Sequence, residues 1–337
     1  MRMTGVATEH GPGTEAPVVA RQGRRWWRAL RTVLLVLCGT ALAGPAGLAV
    51  VRLAGLDDGT DLAMPVAGLP YAALATLLLV AVPAVLRARW LTAVALLVAA
   101  LQVWWLVPRL VADGGAVPAS APRLRLATSN AYLGQADPRA LVGLVRSERI
   151  DVLAVEELSP GLASALDRAG LAGAMPYRIH RAGSDTSLYS RLPLADPGGT
   201  AATPTAGEVT VGGHTVRVVA VHTYYPLGDS RRWAADFGGL RAEARQHPGR
   251  TVLLGDFNAT LDHAPMRALL GDGLTDTHAE LGRGFAGTWP ADRPVLPPVI
   301  QIDHVLHGSG LTAVSVAEHT LPGSDHRAVV AELAVTG

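Results

Sequence analysis

The residues Leu253-Leu254-Gly255-Asp256-Phe257-Asn258 close an apolar run that begins at Thr251. A short aliphatic and β-branched run bounded by turn-forming residues predicts a buried strand, here Thr251–Leu254. The polar residues that follow place a carboxylate and a carboxamide at the end of that strand. The stretch therefore predicts an α/β domain in which Asp256 and Asn258 border a crevice at the edge of a sheet.

The same arrangement recurs on both sides of this stretch. Predicted strands lie at Leu124–Thr128, Val152–Val155, Thr215–Val221, Thr251–Leu254, Ile302–Leu306, Ala313–Ala317 and Ala328–Ala334. Predicted helices lie between them at Pro138–Glu148, Ser159–Ala169, Ser230–Gln246 and Pro265–Leu270. Asn130, Glu157, His222, Asp256, Asp303 and His326 each lie at or beside a strand end. Because strand ends meet at sheet edges, these side chains are expected to share one site.

Composition divides the chain into two parts. Of 337 residues, 49% are hydrophobic and 17% charged, and the mean hydropathy is +0.27. This is too apolar for a disordered or nucleic-acid-coating protein. A single cysteine, Cys38, excludes a disulfide framework and a multi-cysteine metal cluster. Residues 123–337 hold 19 arginines and 22 acidic residues, a formal charge of −3, and have the mixed composition of a water-soluble enzyme.

The N-terminal third has the pattern of a membrane region. Three runs without charge, at about 32–51, 62–86 and 90–107, are each near the roughly 20 residues that a helix needs to cross a bilayer. Five of the seven tryptophans lie in this third, mostly at the ends of the runs. The runs predict three transmembrane helices within residues 32–111. A cleaved signal peptide and a buried helical hairpin are the two alternatives.

Arginine placement predicts the orientation of these helices. Residues 1–31 carry six arginines and two glutamates, and the turn at 87–89 is also basic. The loop at 52–61 instead holds one arginine and three aspartates. By the positive-inside rule, residues 1–31 form a cytoplasmic basic tail of a multi-pass plasma-membrane protein. A Pro-rich linker at 112–122 then leads to an extracytoplasmic domain at 123–337.

The ordered strand ends resemble those of the endonuclease/exonuclease/phosphatase superfamily, the deoxyribonuclease-I-like metal-dependent phosphoesterases. Leu-Leu-Gly-Asp-Phe-Asn, Ile-Asp-His-Val and Ser-Asp-His occur here in the order and spacing of that family, after a strand that ends in Glu-Glu. The resemblance covers nearly all of residues 123–337. It implies a four-layer α/β sandwich, in which two packed β-sheets are flanked by helices.

The resemblance also implies roles for individual residues. Glu157, Asn130 and Asp325 correspond to the metal site, Asn130 also supporting phosphate, and the metal is expected to be Mg²⁺ or Mn²⁺. His326 corresponds to a base or phosphate contact oriented by Asp303. Asp256 and Asn258 correspond to the pair that positions the attacking water and the phosphate oxygens, and His222 to a contact with phosphate or the leaving group. The residue types suit this chemistry, since oxygen ligands favour Mg²⁺ and a His–Asp pair orients an imidazole.

Several residues keep two interpretations. Glu156 is a solvated strand-end acid or a further metal ligand, and Arg191 contacts phosphate or ends a strand. Tyr224-Tyr225-Pro226 lines the crevice or packs its own loop. Asp151 is expected to cap a turn. Five histidines are expected to be surface or hydrogen-bonded polar residues rather than catalytic ones: His180, His263, His278, His304 and His307.

The full layout resembles the VanJ-type teicoplanin-resistance membrane proteins of actinobacteria. That resemblance implies hydrolysis of a lipid phosphate or pyrophosphate at the outer leaflet, such as undecaprenyl pyrophosphate, and a role in glycopeptide resistance. The expected partners are this lipid-linked substrate and membrane lipids, with no obligate protein partner. One alternative is an extracytoplasmic nuclease or general phosphodiesterase, for which nucleic acid is the substrate. Another is a domain that binds an envelope ligand without turnover.

Overall fold

Two six-stranded β-sheets pack face to face in the C-terminal two thirds of the chain. The computed structural model describes residues 18–200 and 203–337, with side chains from residue 23 onward. The first sheet has the strand order β11-β12-β1-β2-β4-β3 and the second the order β5-β6-β7-β8-β10-β9. The strands are β1 Arg123–Asn130, β2 Val152–Glu156, β3 Tyr177–His180, β4 Ser187–Ser190, β5 Leu194–Ala195, β6 Thr205–Val211, β7 His214–His222, β8 Thr251–Asp256, β9 Leu274–Asp276, β10 Asp303–Gly308, β11 Leu311–Thr320 and β12 Arg327–Val335.

Helices cover the outer faces of both sheets. The helices of the sandwich are α5 Pro138–Ser147, α6 Pro160–Arg168, α7 Leu171–Ala174, α8 Pro226–Gln246, α9 Ala264–Leu270 and α10 Thr277–Glu280. Four helices precede them in a separate N-terminal region: α1 Val18–Ala54, α2 Ala63–Val66, α3 Leu69–Val85 and α4 Arg89–Leu106. Asp137 caps α5 by accepting from the backbone of Arg139 and Ala140, as its position before Pro138 predicts. The predicted two packed sheets with flanking helices are therefore confirmed.

Three layers of apolar side chains hold the sandwich together. Alternate residues of both sheets, such as Leu126, Val218 and Leu254, fill the space between the sheets. Helices α5 to α7 cover the first sheet, and α8 and α9 cover the second through Trp233 and Phe237. Since each sheet is apolar on both faces, its strands have nearly continuous hydrophobic runs, which is why the sequence predicted seven of them.

The sequence did not predict five strands, β3 to β6 and β9. These strands are short or polar: β4 has the sequence Ser-Leu-Tyr-Ser, and β6 contains Gly207 and Glu208. Their β structure comes from pairing with neighbours, β4 with β2 and β6 with β7. Tertiary pairing thus overrides weak local preference at these segments.

The N-terminal helices differ in bounds from the predicted spans. Helix α1 already includes residues 18–31 of the predicted tail, and residues 1–17 lie outside the described residues. The run at 62–86 is divided into α2 and α3, because Gly68 ends the first turn and Pro70 begins a new helix. Two segments, Gly23–Ala54 and Arg89–Leu110, are long and apolar enough to cross a membrane, whereas Leu69–Val85 has only 17 residues.

The helical region is attached to the sandwich at one end. Arg52 at the end of α1 and Arg109 in the 3₁₀ turn Val107–Leu110 both bind the buried carboxylate of Asp262, at 3.1 and 2.6 Å. At the other end, Arg31 Nε donates to the carbonyl of Leu86. Residues 113–120 are almost entirely exposed, and the linker at 112–122 stays a prediction.

Candidate active site

The candidate site forms where the ends of β1, β2, β7 and β8 meet. The parallel pairs β1–β2 and β7–β8 place Asn130 opposite Glu156 and His222 opposite Asp256. The antiparallel pair β8–β10 places Asp303 opposite Asp256. This register brings the predicted polar residues of both sheets to one edge, where all of them except Asn130 and Asp303 border a cavity of about 770 Å³.

Asn130 connects the two sheets beneath this cavity. Its Nδ2 donates to Glu157 Oε1 and to Asp256 Oδ2, both at 3.0 Å. Its Oδ1 accepts from the backbone N–H of Tyr132 at 2.9 Å. Asn130 thus orients the carboxylates of Glu157 and Asp256, and its predicted role as a metal and phosphate ligand stays a prediction.

Backbone geometry holds Glu157 and Asn258 at the cavity. Both have left-handed conformations, with φ of 54° and 47°. Such strain is uncommon outside glycine and often accompanies functional sites. Glu157 Oε2 accepts from the backbone of Leu133 at 2.7 Å, and Asn258 Nδ2 donates to the carbonyl of Thr223 at 3.1 Å. These bonds fix a carboxylate and a carboxamide in the cavity lining.

Gly255 explains why the motif requires glycine before Asp256. Its φ is 150°, and a Cβ atom there would lie 1.9 Å from the carbonyl oxygen of Val221 in the adjacent strand. Only glycine lets β7 and β8 approach closely enough to bring His222 beside Asp256.

His326 forms the predicted pair with Asp303. His326 Nδ1 donates to Asp303 Oδ2 at 2.9 Å, and its Nε2 faces Asp256 and Asp325 at 3.8 Å from each. Burial alone would lower the pKa of His326, but the charges of Asp303 and Asp256 outweigh burial and raise it to about 10. Asp303 is fully buried behind His326 and does not border the cavity, so it acts by orienting the imidazole.

His222 has a carboxylate partner that the sequence analysis missed. Its Nδ1 donates to Asp185 Oδ2 at 2.8 Å, and its Nε2 lies 3.7 Å from Glu157 Oε1. Burial alone would lower the pKa of His222, but the hydrogen bond to Asp185 and the charge of Asp256 raise it to about 9. Asp185 lies two residues before β4, and a polar residue there would have been a signal if the strand had been predicted.

The carboxylates suit a divalent cation. Asp325 Oδ2 accepts from Trp289 Nε1 at 3.2 Å, whereas its buried Oδ1 has no hydrogen-bond partner among the described residues. Burial raises the pKa of both Asp325 and Asp256, so the site disfavours so much negative charge without a counterion. An unpaired carboxylate oxygen beside Glu157 and Asp256 provides the hard oxygen donors that Mg²⁺ and Mn²⁺ prefer.

A second set of possible ligands overlaps the first. Atoms of Asp256, Asp303 and His326 lie within 4.8 Å of one another, close enough for a shared ion. The Asp303 carboxylate and His326 Nδ1 are already joined by their hydrogen bond, however. Glu157 and Asp325 add further carboxylate oxygens to the cavity lining beside this group.

Glu156 differs from the favoured prediction of a solvated acid. It is fully buried, and Thr128 Oγ1 donates to its Oε1 at 2.8 Å. Burial raises the pKa of Glu156 well above its ordinary value, which favours the uncharged form of the carboxyl group. It points into the sandwich because it is the last residue of β2, where side chains alternate between faces, and only Glu157 reaches the cavity.

The structure also shows where the other residues with two interpretations lie. Arg191 binds the carboxylate of Asp151 at the start of β2, at the sheet edge opposite the cavity. Tyr224 and Tyr225 line the cavity with stacked rings, 4.7 Å between centroids. The five histidines that were predicted to be surface or hydrogen-bonded polar residues all have hydrogen-bond partners: His180, His263, His278, His304 and His307.

One protein-family model matches the part of the chain that carries the candidate site. The model of the Endonuclease/Exonuclease/phosphatase family matches residues 127–326. This chain belongs to that family. Members of the Endonuclease/Exonuclease/phosphatase family are hydrolases that act on phosphoester bonds, and they depend on divalent metal. No curated protein matches the chain.

Solved structures with a similar arrangement include three of different origin. A humanized D. rerio TDP2 has 17% identity and a TM-score of 0.49, covering 63% of this chain and 98% of that one. An endonuclease/exonuclease/phosphatase from Beutenbergia cavernae has 22% identity and a TM-score of 0.49, covering 64% and 72%. Sphingomyelinase C from Streptomyces griseocarneus has 21% identity and a TM-score of 0.44, covering 63% and 99%.

Proposed function

We propose that this chain is a membrane-anchored, divalent-metal-dependent phosphoesterase that hydrolyses a lipid phosphate or pyrophosphate, such as undecaprenyl pyrophosphate, outside the cytoplasm. The observation that carries the hydrolase assignment is the convergence of Glu157, His222, Asp256, Asp325 and His326 on one cavity. A role in glycopeptide resistance would follow from turnover of that carrier lipid.

The residues act on a bound phosphoester in distinct ways. Water attacks phosphorus in line with the leaving oxygen and passes a proton to Asp256, and the phosphorus–oxygen bond breaks as the leaving oxygen takes a proton from the His222 imidazolium. Asp256 lies 3.8 Å from His326 Nε2 and 4.0 Å from His222 Nε2, and it orients the attacking water. The two imidazoles and the Asn258 amide donate to phosphoryl oxygens, where negative charge must be neutralised. Asp303 and Asp185 keep both imidazoles in donating orientation.

A divalent cation held by Glu157, Asp325 and Asp256 would neutralise phosphoryl charge. Chelation with EDTA is expected to abolish turnover, and added Mg²⁺ or Mn²⁺ to restore it. In Asp325→Asn, the metal concentration that gives half-maximal activity is expected to rise about tenfold or more, since one anionic donor is lost. Activity that persists in EDTA would contradict metal dependence.

The charge distribution along the helices supports the membrane arrangement. Arg24, Arg25, Arg28 and Arg31 lie on the N-terminal part of α1, beside the turn at Arg87, whereas the sandwich is attached at the opposite end through Asp262. We propose that α1, α3 and α4 cross the plasma membrane with the basic end in the cytoplasm. Tethering would hold the cavity near the headgroup plane and raise the effective concentration of a lipid substrate.

The decisive assay is phosphate release from undecaprenyl pyrophosphate by the full-length protein with Mg²⁺, run in parallel with nicking of plasmid DNA. His326→Ala is expected to lower kcat by about 10²- to 10⁴-fold. His214→Ala, at the opposite end of the strand that carries His222, is the matched control and is expected to retain activity. Nicking without lipid turnover would replace the lipid substrate with nucleic acid. No turnover of any phosphoester would overturn the hydrolase proposal.

A further inference from the structure

The cavity at the candidate site is much larger than a phosphate group needs. Its volume of about 770 Å³ lies within the range of roughly 300–1,000 Å³ typical of small-molecule sites. The catalytic carboxylates and histidines occupy only part of its lining. The remainder is largely apolar and includes Met64, Ala67, Tyr225, Leu227 and Ile300.

One wall of this cavity comes from the helical region rather than from the sandwich. Ala63, Met64 and Ala67, in and directly after α2, all line the cavity. Ala63 is fully buried in the same apolar cluster as Trp233 and Phe257 of the sandwich. The catalytic cleft is therefore assembled from both parts of the chain.

Specific contacts hold α2 in this position. His263 Nε2 donates to the carbonyl of Ala63 at 2.9 Å, while His263 Nδ1 accepts from the backbone of Thr260 at 2.8 Å. Asp57 Oδ2 accepts from the backbone of Ala264 at 2.6 Å. His263 lies five residues after Asn258, so the segment that carries the candidate site also anchors the added wall.

Several apolar side chains at this cavity are exposed. Relative exposures are 43% for Met64, 50% for Tyr225, 71% for Leu133 and 75% for Leu227. Leu133 donates its backbone N–H to Glu157, so this exposed apolar surface begins directly beside the candidate cation site. Clustered exposed apolar side chains at a ligand cleft indicate an apolar ligand or partner.

The charge of the lining argues against a nucleic-acid strand as the occupant. Arg232 is the single arginine or lysine among the described residues that line the cavity, and its guanidinium carbon lies 4.2 Å from the centroid of the Tyr224 ring. A polyanion-binding groove would present several such cations along its length. A single phosphate head followed by a hydrocarbon chain matches the lining better.

We propose that the wall formed by Met64, Ala67, Tyr225 and Leu227 is a subsite for the hydrocarbon chain of an amphiphilic phosphoester. The inference rests on the proposed phosphoesterase function and specifies how the substrate is recognised. The phosphate group lies at the carboxylates and histidines, and the chain runs along α2, which a two-residue turn joins to the apolar helix α3. The helical region thus contributes to substrate selectivity as well as to anchoring.

The test compares ligands that differ only in chain length. Binding of decylphosphonate and ethylphosphonate to the full-length protein in amphipol, with Mg²⁺, is measured by calorimetry. Because each buried methylene contributes about 0.8 kcal/mol, the decyl compound is expected to bind at least about tenfold more tightly. This ratio is expected to approach one in Met64→Asp and in Leu227→Asp, and to be kept in Met64→Leu. Val295→Asp is the matched control, since Val295 is 93% exposed and lies outside the cavity lining.

The outcomes separate the two proposals. If ethylphosphonate binds and short-chain esters are hydrolysed, but chain length has no effect, the subsite is overturned while the hydrolase stands. If Met64→Asp and Leu227→Asp weaken both ligands equally, their role is structural and the subsite is again overturned. If no phosphoester of either chain length is hydrolysed, the underlying function fails.

Discussion

At the scale of single residues, the cleft pairs each of its two histidines with a carboxylate. His326 has Asp303 and His222 has Asp185, with Nδ1–carboxylate distances of 2.9 and 2.8 Å. In both pairs Nδ1 donates to the carboxylate, so Nε2 faces the cavity. The raised pKa values, about 10 and about 9, keep both rings protonated at neutral pH in the metal-free site. Two imidazolium groups are well suited to bind phosphoryl oxygens.

Replacing Asp185 tests the second pair. Because the hydrogen bond from His222 to Asp185 raises the pKa of the imidazole, Asp185→Asn is expected to lower that pKa. The protonated form is present below the pKa, so the loss of kcat/KM at high pH should move to lower pH in the variant. The measurement is a pH profile of hydrolysis. Asp196→Asn removes an exposed carboxylate that binds Arg181 away from the cavity and should leave the profile unchanged.

At the scale of elements, two contacts decide how the site is assembled. Gly255 permits the close approach of β7 and β8, and Asp262 joins α1 and the 3₁₀ turn to the segment before α9. Neither residue borders the cavity. Both act on function through the position of other groups, so their substitution should affect stability as well as activity.

Gly255→Ala is expected to destabilise the fold by about 1–3 kcal/mol, because the new Cβ meets the Val221 carbonyl and separates the two strands. The measurements are the free energy of unfolding and kcat, which should also fall as Asp256 moves away from His222. Gly238→Ala is the control, since a Cβ there meets nothing within 4 Å in the helix α8. That substitution should be neutral or stabilising.

Asp262→Asn is expected to cost about 3–5 kcal/mol at neutral pH, because it leaves two partly buried guanidinium groups without their counterion. Burial alone would raise the pKa of Asp262, but Arg109 and Arg52 outweigh burial and hold it below the ordinary value.

The same pKa shift sets the pH dependence of this contribution. With the folded-state pKa below the unfolded value of about 3.9, the contribution is full above about pH 4 and is lost as pH falls through the folded pKa. Thermal unfolding of both proteins between pH 7 and pH 3 checks this, and a constant difference in Tm would contradict it. Asp167→Asn, which removes an exposed pair with Arg178, should cost less than about 1 kcal/mol.

At the scale of the whole molecule, the helical region and the sandwich share one cleft. The proposed orientation has the turn at 86–88 in the cytoplasm and the sandwich outside. The single cysteine, Cys38, is buried, so a Cys38→Ala background is a convenient start for labelling. Residues of the turn and of the sandwich then report opposite sides of the membrane.

With this background, Ser309→Cys is expected to react with a membrane-impermeant maleimide in intact cells. Ala88→Cys should react only after the membrane is permeabilised. Equal labelling of both positions in intact cells would contradict the proposed topology, and the reverse pattern would place the sandwich in the cytoplasm.

The sequence by itself determined the strands and motifs whose chemistry is local. Seven apolar runs, the Asp137 cap and the polar residues at strand ends were all predicted, because buried strands and helix caps have short-range signatures. The ordered motifs around Asp256, Asp303 and Asp325, after a strand that ends in Glu-Glu, indicated the family, which the family model confirmed.

Only the tertiary structure decided how distant segments combine. Asp185 reaches His222 because β4 pairs with β2, Glu156 is buried because its side chain faces inward, and Ala63 joins the cleft across some 200 residues of chain, through the carbonyl that accepts from His263. These contacts depend on which strands pair, which face of the sheet a side chain occupies and where the helical region packs on the sandwich. No short-range pattern of residues encodes these features. The sequence therefore predicted the residue types of the site. The fold decided their hydrogen-bond partners, their charge states and the apolar wall of the cavity.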